Sequence, residues 1–339
     1  MSAAVLVTGG AGYIGSHTCK ALSAAGYVPV SFDNLSLGHR RMVRWGPLVV
    51  GDVLDTASLS HAIRSHGATA IVHFAASAYV GDSVRDPAAY YRNNLLGTLS
   101  VLDAMREASV RDLVFSSSCS VYGNPVTVPI DESHPVEPLS PYGQTKLDGE
   151  NAIRWYTKAY GLRSVCLRYF NAAGADLAGE LGEDHDPETR IVPRAILAAL
   201  GVVPALDIFG DDYDTPDGTA VRDYVHVADL ASAHVMALQR LGDLAVASTL
   251  NLGTGRGYSV REVVSMVEAE LRQTVPHRIA ARRPGDPARV IADASCAFKS
   301  LAWTPARSDL RTIVASACRW HRARLERAPA AEPKAAAVA

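Results

Sequence analysis

The sequence predicts an α/β protein: a doubly wound parallel sheet with a smaller, interleaved C-terminal α/β lobe. Three observations carry this. Short β-branched runs alternate with helix-like stretches through the first half, and a glycine-rich turn directly follows the first of those runs. After Asn171 the texture changes to many Gly, Asp and Pro before strand-like and helix-like segments return. Buried strands that are each followed by a helix are best covered on both faces when the sheet is parallel.

Residues 5–8 read as the first strand, with a helix over about 12–25 and a second strand over 28–32. Gly51-Asp52-Val53 ends a third strand, and residues 71–74, 113–116 and 164–169 continue the series. Pro141 suits the first position of a helix. The Asp-Thr-Pro-Asp-Gly run at 214–218 marks a long loop. A strand and helix return over 221–238, with Asp229 placed as N-cap. Further helices are expected near Ser259 and from about Ser308. This divides the chain into a dinucleotide-type domain (1–172 with 221–250) and a lobe that covers a ligand (173–220 with 251–326). The Ala-, Pro-, Glu- and Lys-rich residues 327–339 are expected to be a disordered tail. A ligand in such a fold sits at the carboxyl ends of the strands, where strand order reverses.

Composition narrows the function. With 339 residues, 48% of them hydrophobic, the chain can bury a large core. Its formal net charge of −2 gives no basic field for nucleic acid or an anionic membrane, so an anionic substrate must be held by a few placed arginines. The five cysteines are scattered, odd in number and without C-x-x-C spacing. That pattern argues against a disulfide framework or a structural metal site and suits a reducing, cytoplasmic setting. The N-terminal apolar run is short and ends in glycines, so it reads as a strand; no stretch is long enough to span a membrane.

Gly9, Gly10, Gly12 and Gly15 follow the first strand, and Gly10, Gly12 and Gly15 satisfy G-x-G-x-x-G. Glycine is needed where the turn is tight and where backbone approaches a pyrophosphate, and the helix N-terminus then offers free N–H groups to the phosphates. The second strand ends at Phe32-Asp33-Asn34, about 20 positions on, where an acidic residue binds a ribose hydroxyl. Asp33 would accept from the adenosine 2′-OH and repel a 2′-phosphate, so NAD is expected rather than NADP. Asp52 and Val53 could meet the adenine edge, or Gly51-Asp52-Val53 could simply be a turn.

Tyr142 and Lys146 lie four residues apart, on one face of a helix. A phenol with its ordinary pKa near 10 is a poor base at neutral pH, but a nearby ammonium and a cationic nicotinamide both favour the phenolate. Tyr142 could then take a proton from an alcohol while hydride leaves the same carbon. The serine run Ser116-Ser117-Ser118 at a strand end could hydrogen-bond the reacting oxygen, or it could simply cap the strand.

These segments together resemble the UDP-glucose (galactose) 4-epimerases of the extended short-chain dehydrogenase/reductase family. The matching stretches run from Val5 to about Leu325. They include the glycine loop, His73-Phe74-Ala75-Ala76, Asn93-Asn94, the serine run, Tyr142 and Lys146, Arg168-Tyr169-Phe170-Asn171, Phe209, Arg222 and Arg282-Arg283 with Asp286. The resemblance implies a Rossmann-type domain, bound NAD, a UDP-sugar substrate and a homodimer. It implies Tyr142 as base, Lys146 on the nicotinamide ribose and Ser118 on the reacting hydroxyl. For the cofactor it adds Tyr13, Ile14, Asn34, Phe74, Ala75, Asn93, Ser116 and Tyr169. For the substrate it gives Asn171, Arg190, Ile191, Phe209, Arg222, Arg283, Asp286 and Val290.

The implied reaction moves hydride from sugar C4 to NAD⁺ and back onto the other face of the 4-keto sugar. A UDP-pentose 4-epimerase, a nucleotide-sugar 4,6-dehydratase and a non-catalytic NAD-binding scaffold are the rival readings. A dehydratase would need a carboxylate where this chain has Ser118-Cys119-Ser120, and a scaffold would not need the intact Tyr142, Lys146 and Ser118. Two positions depart from the resemblance. Ala78 stands where a Lys near the cofactor is common, and Arg190 where Asn or His is common. Val290 stands where narrow-specificity members carry a Tyr near the sugar C2 side, which implies room for an N-acetyl group.

Overall fold

A computed structural model describes residues 2–245, 247–283 and 285–327; the expected tail lies outside the described residues from 328 onward. The chain begins with β1 (Ala4–Thr8), α1 (Tyr13–Ala24), β2 (Val28–Asp33), β3 (Leu48–Val50), α2 (Thr56–Ser65) and β4 (Ala68–His73). It continues through α3 (Val80–Arg85), α4 (Pro87–Tyr90), a π-helical stretch Tyr91–Leu96, α5 (Gly97–Glu107), β5 (Asp112–Ser118), α6 (Pro141–Tyr160) and β6 (Arg163–Tyr169). Then come β7 (Asn171–Ala173), α7 (Ile191–Ala199), β8 (Leu206–Phe209), β9 (Val221–His226), α8 (Val227–Gln239) and β10 (Ser248–Leu252). The last elements are β11 (Gly257–Ser259), α9 (Val260–Leu271), β12 (His277–Ala280), β13 (Arg289–Val290), α10 (Ser295–Leu301) and α11 (Leu310–Arg327).

Seven parallel strands form the main sheet in the order β10-β6-β5-β4-β1-β2-β3. Strand order reverses between β1 and β4, so a crevice opens at their carboxyl ends. Side chains alternate across the sheet: Val5 and Val7 face one core with Val72, Val114 and Val165, while Leu6 faces the other with Ile71, Leu113 and Phe115. α1 and α8 cover the first face, and α2, α5 and α6 the second. This is the expected doubly wound arrangement.

A second sheet joins β11, β9 and β13 with β7, and β8 pairs with β12 in a third. α7, α9 and α11 pack on these through Ile196, Val263, Val267 and Ile313. Within the stretch 221–250 that the sequence assigns to the larger domain, α8 and β10 build its layers, whereas β9 pairs with β7, β11 and β13. Conversely Ala297, Leu301 and Trp303, in and just after α10, pack on the main core. Among the described residues, no helix is long and apolar enough to cross a membrane.

Local chemistry fixes the helices that matter for the site. Ser140 caps α6 by accepting from Gly143 N at 3.1 Å, Pro141 opens it, and Gly161 ends it at φ 68°. Ser259 and Glu262 form a capping box on α9. Asp229 does not cap α8. His226 does, accepting from Ala228 N at 3.1 Å. Asp229 is buried in the first turn and accepts from Arg307 N and Ser308 Oγ, both at 2.7 Å.

Candidate active site

The glycine turn is built as a phosphate cradle. Gly9 adopts φ 73°, and a Cβ there would stand 2.8 Å from Ala75 N; one on Gly15 would stand 2.1 Å from Gly9 O. α1 starts at Gly12 with no side-chain cap and no acidic residue in its first turn. Its leading N–H groups therefore suit an anion, and a dinucleotide pyrophosphate fits. Asp33 lies alongside. Its Oδ2 accepts from Ala11 N at 3.0 Å and its Oδ1 from Leu35 N at 2.8 Å, which aims the carboxylate and leaves lone pairs for a ribose diol. Asn34 donates to Asp52 Oδ2 at 3.0 Å, and Val53 is buried beside Gly97. Phe74 stacks obliquely on His234 with centroids 4.7 Å apart, Ile14 packs on the main core, and the Tyr13 hydroxyl donates to Gly174 O at 2.6 Å.

Tyr142 lies in the first turn of α6 and Lys146 one turn further on. Lys146 Nζ donates to Ser116 O at 2.8 Å and lies 5.1 Å from the Phe115 ring centre. Burial pushes the ammonium down to about 8, with Glu150 holding it up. Burial raises the Tyr142 phenol, while the Ser118 hydroxyl and the Arg190 charge pull it down. Lys146, which the sequence places on the same helix face as Tyr142, is thus held by the Ser116 carbonyl at the end of β5. Ser118 Oγ accepts from Ser120 N at 3.1 Å, which is a cap, and Ser116 Oγ hydrogen-bonds the Tyr169 hydroxyl.

The residues that the resemblance assigns to the substrate lie largely on the second lobe's strands and the segments beside them. Arg222 on β9 pairs with Asp286, and Val290 on β13 is the register partner of Arg222. The Arg283 guanidinium lies 3.9 Å from the Phe209 ring centre. Asn171 Nδ2 donates to Asp223 O at 3.0 Å, which ties β7 to β9. Val290 is buried with Val121, Tyr122, Phe170 and partly buried Cys119 and Leu147, so it joins these strands to the serine turn. Ile191 opens α7 and is half-buried.

Arg190 is not placed as a simple phosphate ligand. Its Nε lies 2.9 Å from Glu183 Oε1. His185 Nδ1 lies 3.3 Å from Glu183 Oε1 and 3.5 Å from Glu188 Oε2. Burial opposes the imidazolium, but the two carboxylates hold it up to about 9. Those three side chains have the spacing of metal ligands, and the Arg190 guanidinium lies on the same cluster.

Several further residues support the site, and of these Glu150 lies in none of the quoted motifs. Asn94, in the π-helical stretch, accepts from Ser77 N at 2.8 Å and donates to Thr145 Oγ1 at 3.1 Å, joining the loop after β4 to α6. Asn93, beside it, reaches Ser77 Oγ at 3.3 Å. His73 bridges Thr8 Oγ1 at 2.6 Å and Thr98 Oγ1 at 3.1 Å, and burial and then Lys146 drive it down to about 3. Glu150 takes both arms of Arg168, at 2.9 and 2.5 Å, and the Ser117 hydroxyl at 2.5 Å. Glu150 was findable, since residues 142, 146 and 150 share one helix face.

Residues 5–253 match the NAD dependent epimerase/dehydratase family. The UDP-glucose 4-epimerase of Rhizobium meliloti (strain 1021) is 50% identical over 317 residues, 94% of this chain and 96% of the relative. A crystal structure of UDP-glucose 4-epimerase from Brucella ovis in complex with NAD superposes with a TM-score of 0.91 at 52% identity, covering 94% of this chain and 98% of that one. The UDP-glucose-4-epimerase from Stenotrophomonas maltophila with bound NAD and formylated UDP-arabinopyranose gives 0.92 at 40% identity, covering 96% and 100%.

Proposed function

The chain belongs to the NAD dependent epimerase/dehydratase family, and from that premise we propose that it interconverts UDP-glucose and UDP-galactose through a 4-keto sugar. NAD, when bound, supplies a reversible hydride acceptor. One observation supports the reading: Lys146, one turn after Tyr142 on α6, donates to Ser116 O in the strand that ends at Ser118.

Tyr142 takes and returns the O4 proton, and Ser118 hydrogen-bonds the same oxygen. Arg190 favours the phenolate that this requires. Arg222 and Arg283 hold the diphosphate, since guanidinium forks suit phosphate oxygens, and Phe209 lies by the uracil. Firm anchoring there lets the keto sugar present its other face while the nucleotide stays put. Val290 carries no ring at the position where the resemblance puts a Tyr in narrow-specificity members, which supports UDP-GlcNAc as a further substrate. The serine turn offers no carboxylate for elimination, which disfavours the dehydratase.

Tyr91, Leu96, Trp155 and Tyr160 are exposed on the π-helical stretch and α6, which supports a homodimer through those helices. The free cysteines fit a reducing cytoplasm. Product identification after incubating the purified protein with a panel of UDP-sugars tests the activity. Absence of UDP-glucose from a UDP-galactose reaction would refute it.

A further inference from the structure

We infer that Asp184 is a positioning residue for the cofactor, clasping loop 182–185 to the segment after β2 across the dinucleotide cradle so that NAD stays between turnovers. This rests on the reading of the glycine turn as an NAD site.

Asp184 is an acid from the second lobe whose carboxylate is only 3% exposed. Arg41 and Arg324, from the segment after β2 and from α11, each donate to one of its oxygens. His39 Nε2 donates to the Asp184 carbonyl at 2.8 Å and stands 3.5 Å from its carboxylate. Burial, Arg41 and Arg324 hold that imidazole below its ordinary range.

The segment so gripped is part of the cradle. His39 N donates to Ala11 O at 3.0 Å, within the glycine turn. A Cβ on Gly38 would stand 2.9 Å from Asp33 Oδ1 and 3.0 Å from Ala11 C. Residues 38–39 therefore lie directly against the carboxylate that faces the adenosine ribose. Ala11, Gly12, Leu37, His39, Asp184 and His185 line one narrow cleft. Beneath it Met42, Leu181 and Trp320 pack together, and Gly182 lies on the Trp320 ring, where a Cβ would come within 2.2 Å.

Charge makes the clasp conditional on one group. With the carboxylate present, two guanidinium groups are held on a shared anion. Without it they face each other as like charges and push α11 and the segment after β2 apart. Retention suits this chemistry, because the cofactor ends every cycle unchanged and gains nothing from exchange.

The test compares wild type, Asp184→Asn and Arg324→Gln as full chains. NAD per chain is measured by extraction after gel filtration, its exchange by uptake of labelled NAD, and kcat and KM for added NAD by turnover of UDP-galactose. Asp184→Asn should exchange NAD at least about tenfold faster, the change expected on losing one charge-assisted hydrogen bond. Its KM for NAD should rise more than its kcat falls, and Arg324→Gln should lie between. Unchanged exchange with a lowered melting temperature would overturn the clasp and leave Asp184 as a fold-stabilising residue. If Asp184→Asn does not fold, unchanged exchange in Arg324→Gln overturns it instead. A wild type without NAD that ignores added NAD would overturn the underlying reading, and the clasp with it.

Discussion

Glu150→Gln is the most informative single change, because it separates charge from shape in the layer beneath the site. Glu150 and Arg168 are both buried, and the carboxylate accepts two guanidinium bonds and one from Ser117. Gln fills the same space but carries one acceptor and an amide that confronts the guanidinium donor-to-donor. Removing one partner of a buried pair costs about 3–5 kcal/mol, since the charge left behind has no counter-ion. Unfolding a chain of this length carries about 0.7 kcal/mol per kelvin of entropy, so Tm should fall by about 4–7 °C. Calorimetry at matched NAD saturation measures this, because bound cofactor shifts Tm by itself. Glu150→Leu with Arg168→Met, which removes both charges, should recover most of the loss. Glu150 also holds the Lys146 ammonium up, so the alkaline limb of kcat should move to lower pH in Glu150→Gln. A variant melting within about 1 °C of wild type would refute the reasoning.

Tyr142→Phe should lose about 10²–10⁴-fold in kcat while NAD content stays as in wild type; retention of more than half the activity would remove Tyr142 from the role of base. Val290→Tyr should abolish turnover of UDP-GlcNAc and spare UDP-glucose, and equal loss of both would show that the ring disrupts the site as a whole. Acid should destabilise the fold between pH 6.5 and about 4. His17, His226, His234 and His321 are driven by burial to about 4 and His73 to about 3, so in that window the unfolded chain binds more protons and stability falls as pH falls. Asp223, raised by burial to about 6, and Asp33 and Glu183, also raised by burial, act in the opposite sense but are three groups against five histidines. A melting temperature that stays flat from pH 7 to pH 4.5 would count against this.

Period and turn chemistry made the main sheet legible. Val5, Leu6 and Val7 are apolar because both faces of β1 are covered, and Gly9 and Gly15 are glycines because neighbouring backbone leaves no room for a Cβ. Pro141 and Ser259 marked helix starts by rules that act within four residues. Asp229 shows where such rules stop. Its residue type suits a cap, but its partners Arg307 and Ser308 lie nearly 80 residues on, and no local pattern announces them. Arg190 is similar: the resemblance assigns it to the substrate, while the acid that holds it, Glu183, is brought in by a loop. The placing of Tyr142 and Lys146 on one face followed from spacing. That Lys146 Nζ turns to the Ser116 carbonyl did not, because its acceptor comes from a different element.

The interleaving of the two lobes has a consequence for synthesis. β6 leaves the ribosome before β10, its neighbour at the sheet edge, with β9 and α8 made in between. At about 5–20 residues per second the roughly 80 intervening residues take about 4–16 s to emerge. Throughout that interval β6 presents an unpaired edge, and Val165 and Leu167 lie on a face that stays open until α8 has emerged. An edge of that kind is a template for pairing with another nascent chain. The order in which the segments are made therefore gives this protein a vulnerable period in the cell that the finished molecule no longer displays.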